Sequence, residues 1–122
     1  MADKLIDFLV TGDPAAARAT AEQALVARKF RVTWHEDWTA TAERGSATMN
    51  ALAGALAQYF KVGVRLMSAG PGETTVRIER QSSGAMGGLI GMSRVRKNMA
   101  TLRAELEATF GAAGVLRGVS EA

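Results

Sequence analysis

The sequence predicts an α+β domain: an antiparallel sheet of about five strands with helices packed on one face. Two observations carry this. Several short stretches alternate apolar and polar residues at period two, whereas residues 92–110 repeat their apolar positions at spacings of three and four. The first kind reads as half-buried strands and the second as a long amphipathic helix. Their order is strand, helix, two strands, helix, two strands, helix, and one apolar sheet face under a layer of helices accommodates it.

Taken in order, residues 4–10 form the first strand, with Ile6, Phe8 and Val10 on one face. A turn at Thr11-Gly12 leads to Asp13-Pro14, a helix start, because the Asp side chain accepts from the free backbone donors of the first turn and Pro lacks a donor that would be orphaned there. That helix is expected to run to about Arg28, where cations suit its negative end. In "KFRVTWHEDWTATAERGS", Phe30, Val32 and Trp34 alternate with polar residues, and so do Trp38, Ala40 and Ala42. The stretch reads as a hairpin with His35-Glu36-Asp37 at its tip and Trp34 facing Trp38. Ser46 is placed to cap a second helix over 47–58, with Met49, Leu52, Ala53 and Leu56 as its apolar stripe.

Residues 60–67 and 74–80 read as two more strands joined by Ala69-Gly70-Pro71-Gly72. Val62, Val64 and Leu66 then share a buried face with Val76 and Ile78, and Lys61, Arg65, Arg77 and Glu79 lie opposite. Met92, Val95, Met99, Leu102, Leu106 and Phe110 make the seam of the last helix, which Gly111 and Gly114 end. Residues 1–116 are expected to form one domain and 117–122 a flexible tail. The order of elements resembles the TATA-binding-protein-like and helix-grip architectures. That resemblance implies a curved sheet gripping a long helix, and no activity.

At 122 residues and 48% hydrophobic, the chain suffices for one core. It holds no cysteine, which excludes disulfides, thiolate metal sites and cysteine nucleophiles. The apolar run Leu5 to Val10 is broken by Asp7 and too short for a signal peptide or a membrane span, so the expected location is cytoplasmic, with peripheral membrane contact as an extension. The net charge of +3 is unevenly spread: residues 59–103 carry +6, flanked by −1 before and −2 after. Such asymmetry suits an acidic partner surface; a solvated sheet face with long basic side chains is the plain alternative.

The most unusual stretch is "SSGAMGGLIGMSRVRKN", residues 82–98, where Gly84, Gly87, Gly88 and Gly91 precede Arg94, Arg96 and Lys97. The glycine spacing matches neither G-x-G-x-x-G nor the P-loop. On a helix, glycines four apart would form a strip for close backbone approach, while the cost of four glycines to a helix leaves a mobile loop or flap as the alternative; the apolar run of about nine residues falls well below the roughly 20 that span a bilayer. Otherwise Met86, Leu89, Ile90 and Met92 would enter a lipid interface or a partner's groove while the cations meet its negative rim. The contact set is therefore Gly84, Gly87, Gly88, Leu89, Ile90, Gly91, Arg94, Arg96 and Lys97, with Arg65 and Arg77 as auxiliary charges.

Catalysis is disfavoured. The one histidine, His35, stands beside Glu36 and Asp37 on an expected turn, and neighbouring turn residues diverge instead of converging on a metal or a substrate. No metal and no cofactor is expected. Nucleic acid is disfavoured because the aromatics alternate with the charges and do not share their face. The reading is thus a non-enzymatic module that works by association, expected to form a homo-oligomer and to contact a protein partner or an anionic membrane. The second reading is a carrier of a small apolar ligand, with Trp34, Trp38, Met67, Met92 and Met99 lining a pocket between sheet and last helix.

Overall fold

The computed structural model describes residues 4–45, 60–81 and 88–121, the side chains of 88–94 excepted. Strand β1 (Leu5–Thr11) leads to helix α1 (Pro14–Ala27) and a hairpin of β2 (Arg31–Glu36) and β3 (Thr39–Arg44). A second hairpin joins β4 (Phe60–Gly70) to β5 (Glu73–Arg80); helix α2 (Gly88–Ala112) and strand β6 (Leu116–Glu121) follow. All strands pair antiparallel in the order β2-β3-β4-β5-β1-β6. The α+β class is as the periodicity predicts, but the sheet has six strands. The helix expected over 47–58 lies outside the described residues.

Register explains the core. Ile6 opposes Ile78 and Phe8 opposes Val76, while Val64 and Leu66 oppose Ile78 and Val76 from the other side. Ala40 and Ala42 continue the row opposite Val64 and Val62. These side chains are all buried, and so are Ala17, Ala21, Ala24 and Leu25 of α1 and Val95, Met99, Leu102, Leu106 and Phe110 of α2. From Val95 to Phe110 the predicted seam of the long helix is therefore the one that meets the sheet, with the Phe8 and Phe110 rings 5.6 Å apart. Asp13 caps α1, its Oδ1 accepting from the Ala16 backbone N–H at 2.9 Å. Arg28 at the end of α1 donates from Nε to Glu105 of α2 at 2.8 Å, which ties the two helices together.

Three expectations are corrected. Residues 117–121 are not a tail: they belong to β6, which pairs with β1 and places Leu116 opposite Val10 and Val119 opposite Phe8. The hairpin tip is the two-residue turn Asp37-Trp38, not His35-Glu36-Asp37. Trp34 consequently opposes Ala40, and Trp38 lies in the turn, 41% exposed, so the two tryptophans do not face each other. Finally, Gly111 lies inside α2, and Gly114, at φ +75°, ends it. Among the described residues no helix is long and apolar enough to cross a membrane.

Candidate basic contact surface

An antiparallel sheet brings strand starts and strand ends together at each rim. At the rim where β1 begins, the Arg80 N–H donates to the Lys4 carbonyl at 2.9 Å and the Gln81 N–H to that of Lys61 at 3.0 Å. Arg44 opposes Phe60, and Arg31 opposes Glu43. Lys4, Arg80, Lys61, Arg44 and Arg31 thus come from five adjacent strand ends to one basal rim, and Lys29 lies two residues before Arg31 in the chain. The strand pleat sends Lys61 and Arg31 toward the face that no described helix covers, here the open face, and Lys4, Arg80 and Arg44 toward the helix side. Arg44 lies over the Phe30 ring at 4.8 Å, which holds its charge at the edge of the core. Acids share this rim: Glu43 stands in one row between Arg31 and Lys61, Glu79 lies opposite Leu5, and Glu121 lies opposite Ile6.

Helix α2 adds to the same end. Its C-terminus is at the opposite, apical end, where the Thr11 N–H donates to the Val115 carbonyl at 2.8 Å. Arg103 already meets Glu121, which opposes Ile6 near the basal rim, at 2.7 Å. Residues 96 and 97 lie six to seven positions before Arg103, about 10 Å further along the helix in the basal direction. Arg96 and Lys97 are exposed, whereas Val95 and Met99 are sealed beneath them. Of the remaining contact set, Gly88, Leu89, Ile90, Gly91 and Arg94 fall in the first turns of α2, and Gly84 and Gly87 lie outside the described residues.

The auxiliary charges sit mid-sheet on the open face, where Arg65 opposes Arg77. Arg77 is committed to Asp7 through Nε at 2.8 Å and a second nitrogen at 2.9 Å. Hydrogen bonding and charge attraction to Asp7 raise the Arg77 pKa further above its ordinary value. Arg65 is exposed on the same face.

The residues proposed for an apolar pocket are divided between places. Met99 is fully buried in the core. Trp34 lies against α1, its Nε1 donating to Glu22 at 3.0 Å and the Arg18 guanidinium 4.0 Å above its ring. Trp38 and Met67 border a shallow groove with Glu36, Asp37 and Arg65, and the Met92 side chain is outside the described set. His35 shares a 2.7 Å hydrogen bond with Thr41 Oγ1, and among the described residues no group of His, Asp and Glu is arranged to hold a metal ion.

Sequence reasoning found the cations of α2 but missed the basal rim. Lys4, Arg31, Arg44, Lys61 and Arg80 are scattered along the chain, and only strand pairing gathers them. The available signal was positional: each stands at or beside the end of a predicted strand.

Fold and surface together define a small α+β module with a polarised charge distribution. No family model matches the chain, and no curated protein matches it. Among solved structures it is similar to a chain of the adenylate sensor from AMP-activated protein kinase, crystallised in complex with 5-aminoimidazole-4-carboxamide 1-β-D-ribofuranotide. The likeness has a TM-score of 0.54 at 14% identity and covers 80% of this chain and 92% of that one. It is a likeness of fold, extending over most of both chains.

Proposed function

We propose that the protein is a non-catalytic interaction module that docks its basal end on an anionic membrane surface. The observation that supports this reading is the collection of Lys4, Arg31, Arg44, Lys61 and Arg80 on one rim, with Arg96 and Lys97 of α2 directed to the same end. A cation near an anionic bilayer contributes about 1 kcal/mol, and less where an acid such as Glu43 stands beside it, so the rim supplies weak, salt-sensitive attachment without any pocket. Leu89 and Ile90 precede those cations on α2.

A phospholipid surface is favoured over single-stranded nucleic acid by the position of the aromatic side chains. Base stacking needs exposed rings beside the cations. Trp38, the exposed tryptophan, lies in the turn at the far end of β2 from Arg31.

Co-sedimentation with phosphatidylserine-containing and with purely phosphatidylcholine vesicles tests the reading. Binding to the first that falls with salt and is lost in the Arg94/Arg96/Lys97→Glu variant is the expected result. Equal, negligible sedimentation with both vesicle types overturns it, and a salt-dependent shift of a labelled oligonucleotide in its place would move the rim to nucleic acid.

A further inference from the structure

Strand β2 is one edge of the sheet, and among the described residues nothing pairs with its outer side. Natural edges are usually blunted by proline, glycine, bulges or inward charges. The other edge, β6, conforms: its pairing with β1 shifts register and it contains Gly118. β2 has neither proline nor glycine, and its register shift is confined to the end between Trp34 and Glu36. Val32 and Trp34 remain only half-buried on its helix side. Beside them the outer face of α1 carries a shallow groove lined by Ala19, Glu22, Gln23, Val26 and Ala27, in which Val26 is 53% exposed.

The strand is also complementary to itself. At its basal end stand Lys29 and Arg31; at its apical end stand Glu36 and Asp37. The bulge lets Glu36 oppose Thr39, which opposes Arg65, so Glu36 lies on the open face. Arg31 opposes Glu43, which opposes Lys61 of the same face.

We propose that two copies of the chain join through β2, antiparallel and centred on Thr33, to form one continuous sheet across a two-fold axis. In that register Thr33 faces its own copy and Val32 faces the second copy's Trp34 on the helix side. Lys29 comes opposite Asp37, and Arg31 lies beside Glu36, with every contact made twice by symmetry. The groove on α1 flanks the seam, so the pairing also covers Val26. A register shifted by one residue would oppose unlike faces, one centred on Val32 would set Arg31 against Thr33, and one centred on Trp34 would bring Arg31 to Asp37 but leave Lys29 without an acid; centring on Thr33 engages both cations with both acids.

The chain lacks cysteine, which makes the test direct. Sedimentation velocity of the full chain over a concentration series is expected to show a monomer–dimer equilibrium. Thr33→Lys, at an exposed position, sets like charges against each other at the axis and is expected to abolish the dimer while leaving the circular dichroism spectrum unchanged. Thr33→Cys places a single thiol opposite its copy, about 4.5–5.5 Å between Cβ atoms, and is expected to form a covalent dimer on mild oxidation. Ala15→Cys, exposed on α1, is expected to form no covalent dimer under the same treatment. A monomer at every concentration overturns the proposal, and so does a dimer that Thr33→Lys leaves intact or cross-linking that is equally fast at positions 15 and 33.

Discussion

Arg77 grips Asp7 across the β5–β1 pair with two parallel hydrogen bonds of 2.8 and 2.9 Å, on the sheet face that no described helix covers. The fork geometry is that of a strong, bidentate charge pair, and it staples the second-to-last strand of the sheet to its neighbour. Because the folded state raises the Arg77 pKa, the stabilisation from this group is fully present below its unfolded value and is lost only as pH rises through the higher folded one. Arg77→Gln is therefore expected to lower the thermal midpoint by the same amount at neutral and mildly alkaline pH. Parallel melting curves of the two proteins across that range provide the check; a gap that closes before strongly alkaline pH contradicts it.

Phe110 is fully buried against Phe8, which is itself fully buried in β1. Truncating such a ring removes its transfer free energy and leaves a cavity at the junction of α2 and the sheet. Phe110→Ala is expected to cost about 3–5 kcal/mol, a large part of the roughly 5–15 kcal/mol that holds a domain of this size folded. Urea denaturation measures it, with Phe110→Leu expected to lose much less.

The two helices end in the same motif with different residues at its critical position. In α2 the Val115 N–H reaches the Phe110 carbonyl at 3.1 Å and the Gly114 N–H reaches Gly111 at 3.0 Å, with Gly114 at φ +75°. In α1 the Phe30 N–H reaches Leu25 and the Lys29 N–H reaches Val26, each at 3.0 Å, with Lys29 at φ +70°. Both are Schellman caps, whose left-handed residue is normally glycine. A side chain there costs about 1–2 kcal/mol, and around Gly114 an added Cβ meets nothing within 4 Å, so the cost is purely conformational. Gly114→Ala should destabilise by about 1–2 kcal/mol, and Lys29→Gly should stabilise by up to about 1 kcal/mol, the gain being reduced by the freedom glycine adds to the unfolded chain. Chemical denaturation of both variants gives the two signs.

The elements legible in the sequence are those whose periodicity is unbroken. Ile6, Phe8 and Val10 keep period two, and Val95 to Phe110 keep the helical spacing; both runs lie in the core. β6 was missed because its register shift places Leu116 and Val119 three apart on one half-buried row, so the strand does not alternate. The hairpin tip was misplaced for the same kind of reason: the irregularity between Trp34 and Glu36 changes the phase that simple alternation carries from Trp34 to Trp38. The basal rim was hidden more thoroughly, since cations as far apart in the chain as Lys4 and Arg80 become neighbours only through pairing.

Antiparallel joining through β2 has a consequence for membrane attachment. The two-fold axis is perpendicular to the strands, so the basal rims of the two copies point in opposite directions and both cannot meet one flat bilayer. In the dimer Arg31 belongs to the seam, so docking falls to Lys4, Arg44, Lys61 and Arg80 with the cations of α2; a dimer docked by one rim then presents the other to a second surface, and avidity appears between vesicles, not within one. Wild-type protein is expected to cluster phosphatidylserine-containing vesicles, raising turbidity and light scattering. Thr33→Lys should bind those vesicles in co-sedimentation without clustering them, and Arg94/Arg96/Lys97→Glu should do neither. Clustering that persists in a strictly monomeric Thr33→Lys protein would place the second membrane contact on another part of the same copy, and the opposed-rim geometry would be wrong.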